Sequence, residues 1–184
     1  MTAKTLSKEK IISAAIEIVN NQESLTFTKL GKKLGTRAQS IYNYFPDVTA
    51  VKVALGIYFY NELAKRLNAD LLGLSGKQAV KAFANVSVQF ALSKFLVAQQ
   101  VLGIPKGRLQ DTDLNSSFDE IHKILRIFLD PLVPDTQRQL VISRMLRNLI
   151  IGEIIHVGNE RFNNKLMITR DSFDQMLEIT LSGF

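Results

Sequence analysis

Thr36, Arg37, Gln39, Ser40 and Asn43 put five hydrogen-bonding side chains into one short stretch, KKLGTRAQSIYNYFPD, that runs from Lys32 to Asp47. An arginine fork can pair with O6 and N7 of guanine. Glutamine and asparagine can pair with the edge of adenine, and serine or threonine with either purine. Just upstream, Thr26 and Thr28 open a helical pattern, where hydroxyls and backbone N–H groups suit a phosphate. Lys29, Lys33 and Lys52 add positive charge, and the hydroxyls of Tyr42 and Tyr44 can reach a phosphate backbone. Together these residue types can read base edges and grip the backbone of a duplex, provided that something holds them on one face.

The elements that must hold them read as helices. Ser7 is a good N-cap, and Ile12, Ala15, Ile16 and Val19 repeat at i, i+3, i+4 and i+7 until Asn20-Asn21 stops the pattern. Thr26 can cap a second helix with Phe27, Leu30 and Leu34 on one face, ended by Gly35 in a left-handed exit. A third, short helix turns Ala38, Ile41 and Phe45 inward and closes at Pro46. So short a helix cannot hold itself in place, which explains why a polar element ends in aromatics. The three helices can pack as a trihelical unit with the polar face of the third outside. The spacing fits an all-α protein with no such role equally well, because a bare helix-turn-helix pattern is a weak signal.

The rest also predicts helix. Asp47 can cap a fourth that runs through Val51, Leu55, Tyr58 and Glu62 to about Leu72. After a break at Leu74-Ser75-Gly76, a fifth is expected from about Lys77 to Leu102, a loop or broken helix over 103–115, and helices near 116–129, 135–157 and 169–182. No alternating run supports a strand. The fold class is all-α, with about nine helices.

The pattern LTFTKLGKKLGTRAQSIYNYFPD, Leu25 to Asp47, resembles the DNA-binding region of TetR-family transcriptional regulators. The preceding KIISAAIEIV is similar to their first helix, and SIYNYF to the family's most recognisable signature. The likeness covers about residues 8–58. It implies an N-terminal helix-turn-helix over 1–50, a helical ligand-binding and dimerisation domain over 51–184, and, as a rule, repression relieved by a small molecule. Two departures stand out. Ala38 and Gln39 replace the Pro and Gly of many members, so the base-reading set is this chain's own. Val48 stands where the family often has a lysine, and Lys52 one turn later can take its place.

In the last third, the segment from Asp135 to Val157 is apolar around much of its circumference, and Phe173, Met176, Leu177, Thr180, Leu181 and Phe184 form a stripe. A helix apolar all round is buried on more than one side. The second side can be the chain's own core or a second copy. The resemblance favours a homodimer through about 135–157 and 169–184, with two reading heads about 34–36 Å apart on an inverted repeat. Tyr58, Phe90, Phe95, Gln99, Phe128, Arg144 and Arg147 are the candidate contacts for a small-molecule effector, since apolar walls with a few polar groups describe such a site. They also describe an ordinary core, and the two arginines can equally be solvated or paired with Glu153.

Bulk properties narrow the classes. The net charge is +6 and the pI about 9.6, and half of the excess lies within residues 1–50. That suits a polyanion such as double-stranded DNA without requiring one. The chain has no cysteine, which excludes disulfide scaffolds and thiolate chemistry. His122 and His156 are too far apart for the usual helical metal spacing, so no metal or cofactor is expected. No phosphate loop, nucleophile elbow or catalytic carboxylate pair emerges, so the chain does not read as an enzyme. No secretory signal or membrane span is evident, and a cytoplasmic location is expected. The competing reading is a helix-turn-helix protein-interaction module without a small-molecule effector.

Overall fold

The computed structural model describes residues 6–105, 111–162 and 167–183. Among these residues there are nine helices and no strand: α1 (Lys8–Asn20), α2 (Phe27–Leu34), α3 (Ala38–Ile41), α4 (Val48–Asp70), α5 (Gly76–Ser93), α6 (Phe95–Leu102), α7 (Thr112–Leu129), α8 (Thr136–Gly158) and α9 (Thr169–Ser182). The all-α expectation is met. The chain divides into two compact units, one drawn from Met1–Tyr60 with Leu96–Ser117 and the other from Asn61–Phe95 with Phe118–Phe184. Phe184, expected on the last apolar stripe, lies outside the described residues, as do 106–110 and 163–166 of the expected loops.

In the first unit, local sequence sets each helix start. The Ser7 hydroxyl accepts from the Lys10 N–H at 3.3 Å, Thr26 Oγ1 from the Lys29 N–H at 3.2 Å, and Asp47 Oδ1 from the Ala50 N–H at 2.7 Å. Each satisfies a backbone donor that the first helical turn leaves open. The apolar faces then meet. Ile11, Ala14, Ile18, Phe27, Leu30, Ile41, Phe45 and Val51 form one buried cluster. Two glycines set the turn into α3. Gly35 takes φ 65, the left-handed region in which a side chain is strained. At Gly31 a Cβ would stand 2.9 Å from both the Ala38 nitrogen and the Thr36 carbonyl oxygen, so only glycine lets the backbone of α3 pass so close to α2.

Two expectations are corrected in the middle of the chain. The single helix from Lys77 to Leu102 is two. At Lys94 the backbone leaves the helical region (φ −132, ψ 38), and α6 starts afresh at Phe95. No proline or glycine marks the break. Phe95 packs so closely on Gly158 that a Cβ there would overlap its ring. The helix expected from Ser116 starts earlier, at Thr112, because Asp111 Oδ1 accepts from the Leu114 N–H at 2.8 Å and caps it.

In the second unit α5, α8 and α9 pack on one another. Asn85 donates to Asp174 Oδ1 at 3.0 Å, Lys81 pairs with Glu178, and the Arg138 guanidinium donates to the Gly183 carbonyl. These contacts fix how α9 lies on the other two. Phe173, Leu177 and Leu181 are 2%, 0% and 1% exposed, so the stripe expected at a dimer interface faces the chain's own core. The open side of the same helices is different: Leu140, Val141 and Met145 on α8 and Ile179 on α9 are exposed large apolar side chains.

Candidate nucleic-acid interface

The polar face of the α2–α3 region is built by what its other face must bury. Ile41 and Phe45 are turned into the cluster, and Ala38 packs against it. With those positions inward, Arg37, Gln39, Tyr42 and Asn43 are exposed and Thr36 and Ser40 half-buried. The five expected base-reading residues therefore share the outward side of one short element. Regular α-helix covers only Ala38–Ile41. The coil continues through hydrogen bonds from the Tyr44 and Phe45 N–H groups to the Ile41 carbonyl, at 2.9 and 3.0 Å, so Asn43 stays in helical sequence with Gln39. Arg37 is extended at the start of α3, and its guanidinium makes no hydrogen bond or ion pair with a described residue.

The residues expected at a phosphate backbone differ in what already holds them. The Thr26 hydroxyl accepts from the Lys29 N–H and keeps its own proton to donate, with Thr28 exposed beside it. Lys29 and Lys33 are held by acids: Lys29 to Glu23 at 3.0 Å and Lys33 to Glu17 at 2.5 Å. The hydrogen bond and charge of Lys29 hold the Glu23 carboxyl below its ordinary value. A phosphate would have to displace these pairs, which exposure to water makes weak. Tyr42 stands edge-on against Phe27, 4.7 Å between ring centres, with 54% of its surface open.

Tyr44 is already engaged within the unit. Its hydroxyl donates to the Leu6 carbonyl at 2.7 Å, and its ring packs on the cluster. The proton expected for a phosphate instead ties α3 to the segment before α1. Lys52 is half-buried and lines a cleft with the α1–α2 turn. Lys8, which has no place among the residues expected from the sequence, lies 5.9 Å over the Phe45 ring.

The candidate effector residues do not gather in one described cavity. Within the first unit, Tyr58 is exposed and Gln99 lines the cleft beside Lys52. Within the second, Phe90 lines a small cleft of about 220 Å³ with Arg66 and Gln89, and the Lys94 ammonium sits 5.5 Å over its ring. Phe95 meets Gly158, Phe128 is half-buried, and Arg144 is exposed. Arg147 does not pair with Glu153. Its guanidinium contacts Nε2 of His122 and lies 5.4 Å over the Phe118 ring, which stands edge-on to His122 at 4.5 Å. Because arginine only donates, His122 meets it as the acceptor. Phe118 gave no signal in the sequence, since a half-buried helical aromatic reads as ordinary core. Glu153 is 4% exposed. Its Oε2 is a buried side-chain atom without a hydrogen-bond partner, and burial raises its pKa above the ordinary 4.5. Among the described residues no cluster of His, Cys, Asp and Glu is arranged to hold a metal ion, and no single helix is long and apolar enough to cross a membrane.

No family model matches the chain, and no curated relative does either. Solved structures do. One is a variant of TetR from Acinetobacter baumannii AYE in complex with minocycline, at TM-score 0.72 and 21% identity, covering 98% of this chain and 97% of that one. Another is the transcriptional regulator FadR from Bacillus subtilis in complex with stearoyl-CoA, at TM-score 0.68 and 17% identity, covering 97% and 100%. A third is the TetR-family regulator PfmR from Thermus thermophilus, at TM-score 0.65 and 14% identity, covering 94% and 97%. Identities this low speak to architecture. Nearly complete coverage in both directions means that the whole chain, helical head and helical body together, has the fold of TetR-family transcriptional regulators.

Proposed function

We propose that the protein is a sequence-specific DNA-binding transcriptional regulator of the TetR family, a ligand-responsive repressor that binds an inverted-repeat operator as a homodimer. The observation that carries this reading is the outward side of α3. Arg37, Gln39 and Asn43 are exposed while Ile41 and Phe45 of the same element are buried, and Gly31 brings that element close against α2. A free-standing core helix has no need of uncommitted base-complementary side chains on one face. Residues 1–50 serve as the reading domain and 51–184 as the ligand-binding and dimerisation domain.

Thr36, Arg37, Gln39, Ser40 and Asn43 are assigned to base edges. Thr26, Thr28, Lys29, Lys33, Tyr42 and Lys52 are assigned to the backbone. The partner copy is assigned to the open side of α8, where Val141, Met145, Asn148 and Gly152 repeat at helical spacing. Val141 and Met145 are exposed there, and nothing in the subunit lies within 4 Å of a Cβ on Gly152, so a second helix can approach closely. The effector is assigned to the second domain as a small apolar or amphipathic molecule. It acts by favouring one arrangement of the dimer. The place of action is the cytoplasm.

The test is selection of bound duplexes from a random pool at about 0.15 M salt. Enrichment of an inverted repeat, with affinity that falls steeply as salt rises, is the expected result. A folded dimer that enriches nothing, before and after refolding to strip any bound ligand, would sink the reading and leave the protein-interaction module in its place.

A further inference from the structure

The turn after α1 carries a conformational penalty that the fold does not require. Gln22 leaves the helix at φ 58, in the left-handed region where glycine is at ease. Its N–H donates to the Val19 carbonyl at 2.9 Å, and the Glu23 N–H donates to the Ile18 carbonyl at 3.1 Å. Bonds of this kind close a helix through one left-handed residue. Glycine would make the same turn without crowding from a Cβ, so the glutamine side chain is kept at a cost. Strained residues of this kind collect at ligand sites.

The Gln22 side chain lines a cleft of about 420 Å³, within the usual size of a small-molecule site. Its apolar lining is Val19, Leu25 and Leu96. Its polar lining is Gln22 and Ser24 from the turn, Lys52 from α4, and Gln99 and Gln100 from α6, all exposed except the half-buried Lys52. None of these five polar side chains hydrogen-bonds or ion-pairs with a described residue. Glu23 is also at the rim, but Lys29 neutralises it at 3.0 Å, so Lys52 leaves the cleft with a net positive charge.

Three carboxamides and a hydroxyl offer donors and acceptors side by side, which is what ligand hydroxyl groups need. A lone ammonium group suits a single carboxylate. We infer that the cleft formed by the α1–α2 turn, α4 and α6 binds a small hydroxylated carboxylate, with Lys52 on its anionic end and Gln22, Gln99 and Gln100 on its hydroxyls. The site takes in Gln99 of the effector candidates and shares no residue with the cleft that Phe90 lines. Occupancy draws Lys52 away from the DNA phosphate assigned to it. That consequence rests on the DNA-binding reading, whereas the binding itself does not.

The experiment is a titration of the full-length chain, methyl-labelled at valine and leucine, with D-gluconate as probe. Sorbitol serves as the same hydroxyls without the carboxylate, and acetate as the carboxylate without the hydroxyls. The expected result is saturable movement of the Val19, Leu25 and Leu96 methyl signals with gluconate alone. Lys52→Met and Gln22→Gly should each weaken binding roughly tenfold or more. Gln22→Gly should at the same time raise the melting temperature, because it relieves the strained turn, so lost binding cannot be put down to misfolding. Still methyl signals, an acetate response equal to that of gluconate, or variants that bind like the wild type would each overturn the site. With a selected operator duplex present, gluconate should weaken DNA binding by the wild type and not by Gln22→Gly. If no duplex is bound while the methyl signals still move, the DNA reading falls and the site stands.

Discussion

Arg37 and Tyr44 lie seven residues apart, at the two ends of the proposed reading element. Arg37 is exposed and uncommitted, whereas Tyr44 uses its proton on the Leu6 carbonyl. Arg37→Ala should therefore cost about 1–3 kcal/mol of DNA affinity and relax base choice at one operator position, as read by binding to a set of single-substituted operators. Tyr44→Phe should leave base choice and the salt slope alone and lower stability by about 0.5–1.5 kcal/mol in denaturant unfolding. A fall in the salt slope would return Tyr44 to the phosphates. Glu153 poses the opposite problem, a buried carboxyl with an orphaned oxygen. Burial raises its pKa, so above the ordinary value of 4.5 the folded state holds a proton that the unfolded state has released. Stability is then greatest below 4.5, falls as pH rises through the window up to the raised value, and is flat beyond it. Glu153→Met removes the orphan. It should add about 1–3 kcal/mol at neutral pH and abolish that part of the pH dependence.

At the scale of the element, α3 is positioned by a glycine rather than by its own length. Gly31→Ala puts a Cβ 2.9 Å from the backbone of Thr36 and Ala38, so the backbone of the turn must move. The expected loss is about 1–3 kcal/mol of stability, with DNA binding lost more completely than stability. Thermal unfolding and operator binding measured side by side decide it, and a fully active Gly31→Ala would mean that α3 is not the reading element. The break between α5 and α6 is a second case in which position comes from a neighbour. Nothing from Phe90 to Leu96 ends a helix by propensity, yet the chain breaks at Lys94, with Phe95 against Gly158. Such a break is invisible to periodicity, because both halves keep apolar positions at helical spacing.

At the scale of the whole molecule, the exposed apolar side chains of α8 and α9 bear on the proposed homodimer. Leu140, Val141, Met145 and Ile179 expose apolar surface that a lone subunit gains nothing by showing to water. Met145→Glu should convert the proposed dimer to a monomer in sedimentation while leaving the helical signal intact. It should also weaken operator binding by orders of magnitude, since one head alone forfeits the second half-site. A dimer that survives Met145→Glu would place the interface elsewhere.

Helices whose ends are local events were legible in the residues alone: Ser7, Thr26, Asp47 and Asp135 each accept a backbone N–H three residues on, and Gly35 turns left-handed because it alone can do so cheaply. So were the inward and outward sides of α1–α3, because a short amphipathic helix has only one way to hide its apolar residues. Which side of α9 is core depends on packing between distant segments. Its stripe was legible, but a stripe does not say whether the surface covering it belongs to the same chain or to another, and α5 and α8 cover it here. The same holds for the side chains with two possible partners. Tyr44 went to Leu6 and Arg147 to His122, and Glu153 was left with an oxygen unpaired, because such choices depend on distances between residues far apart in the chain.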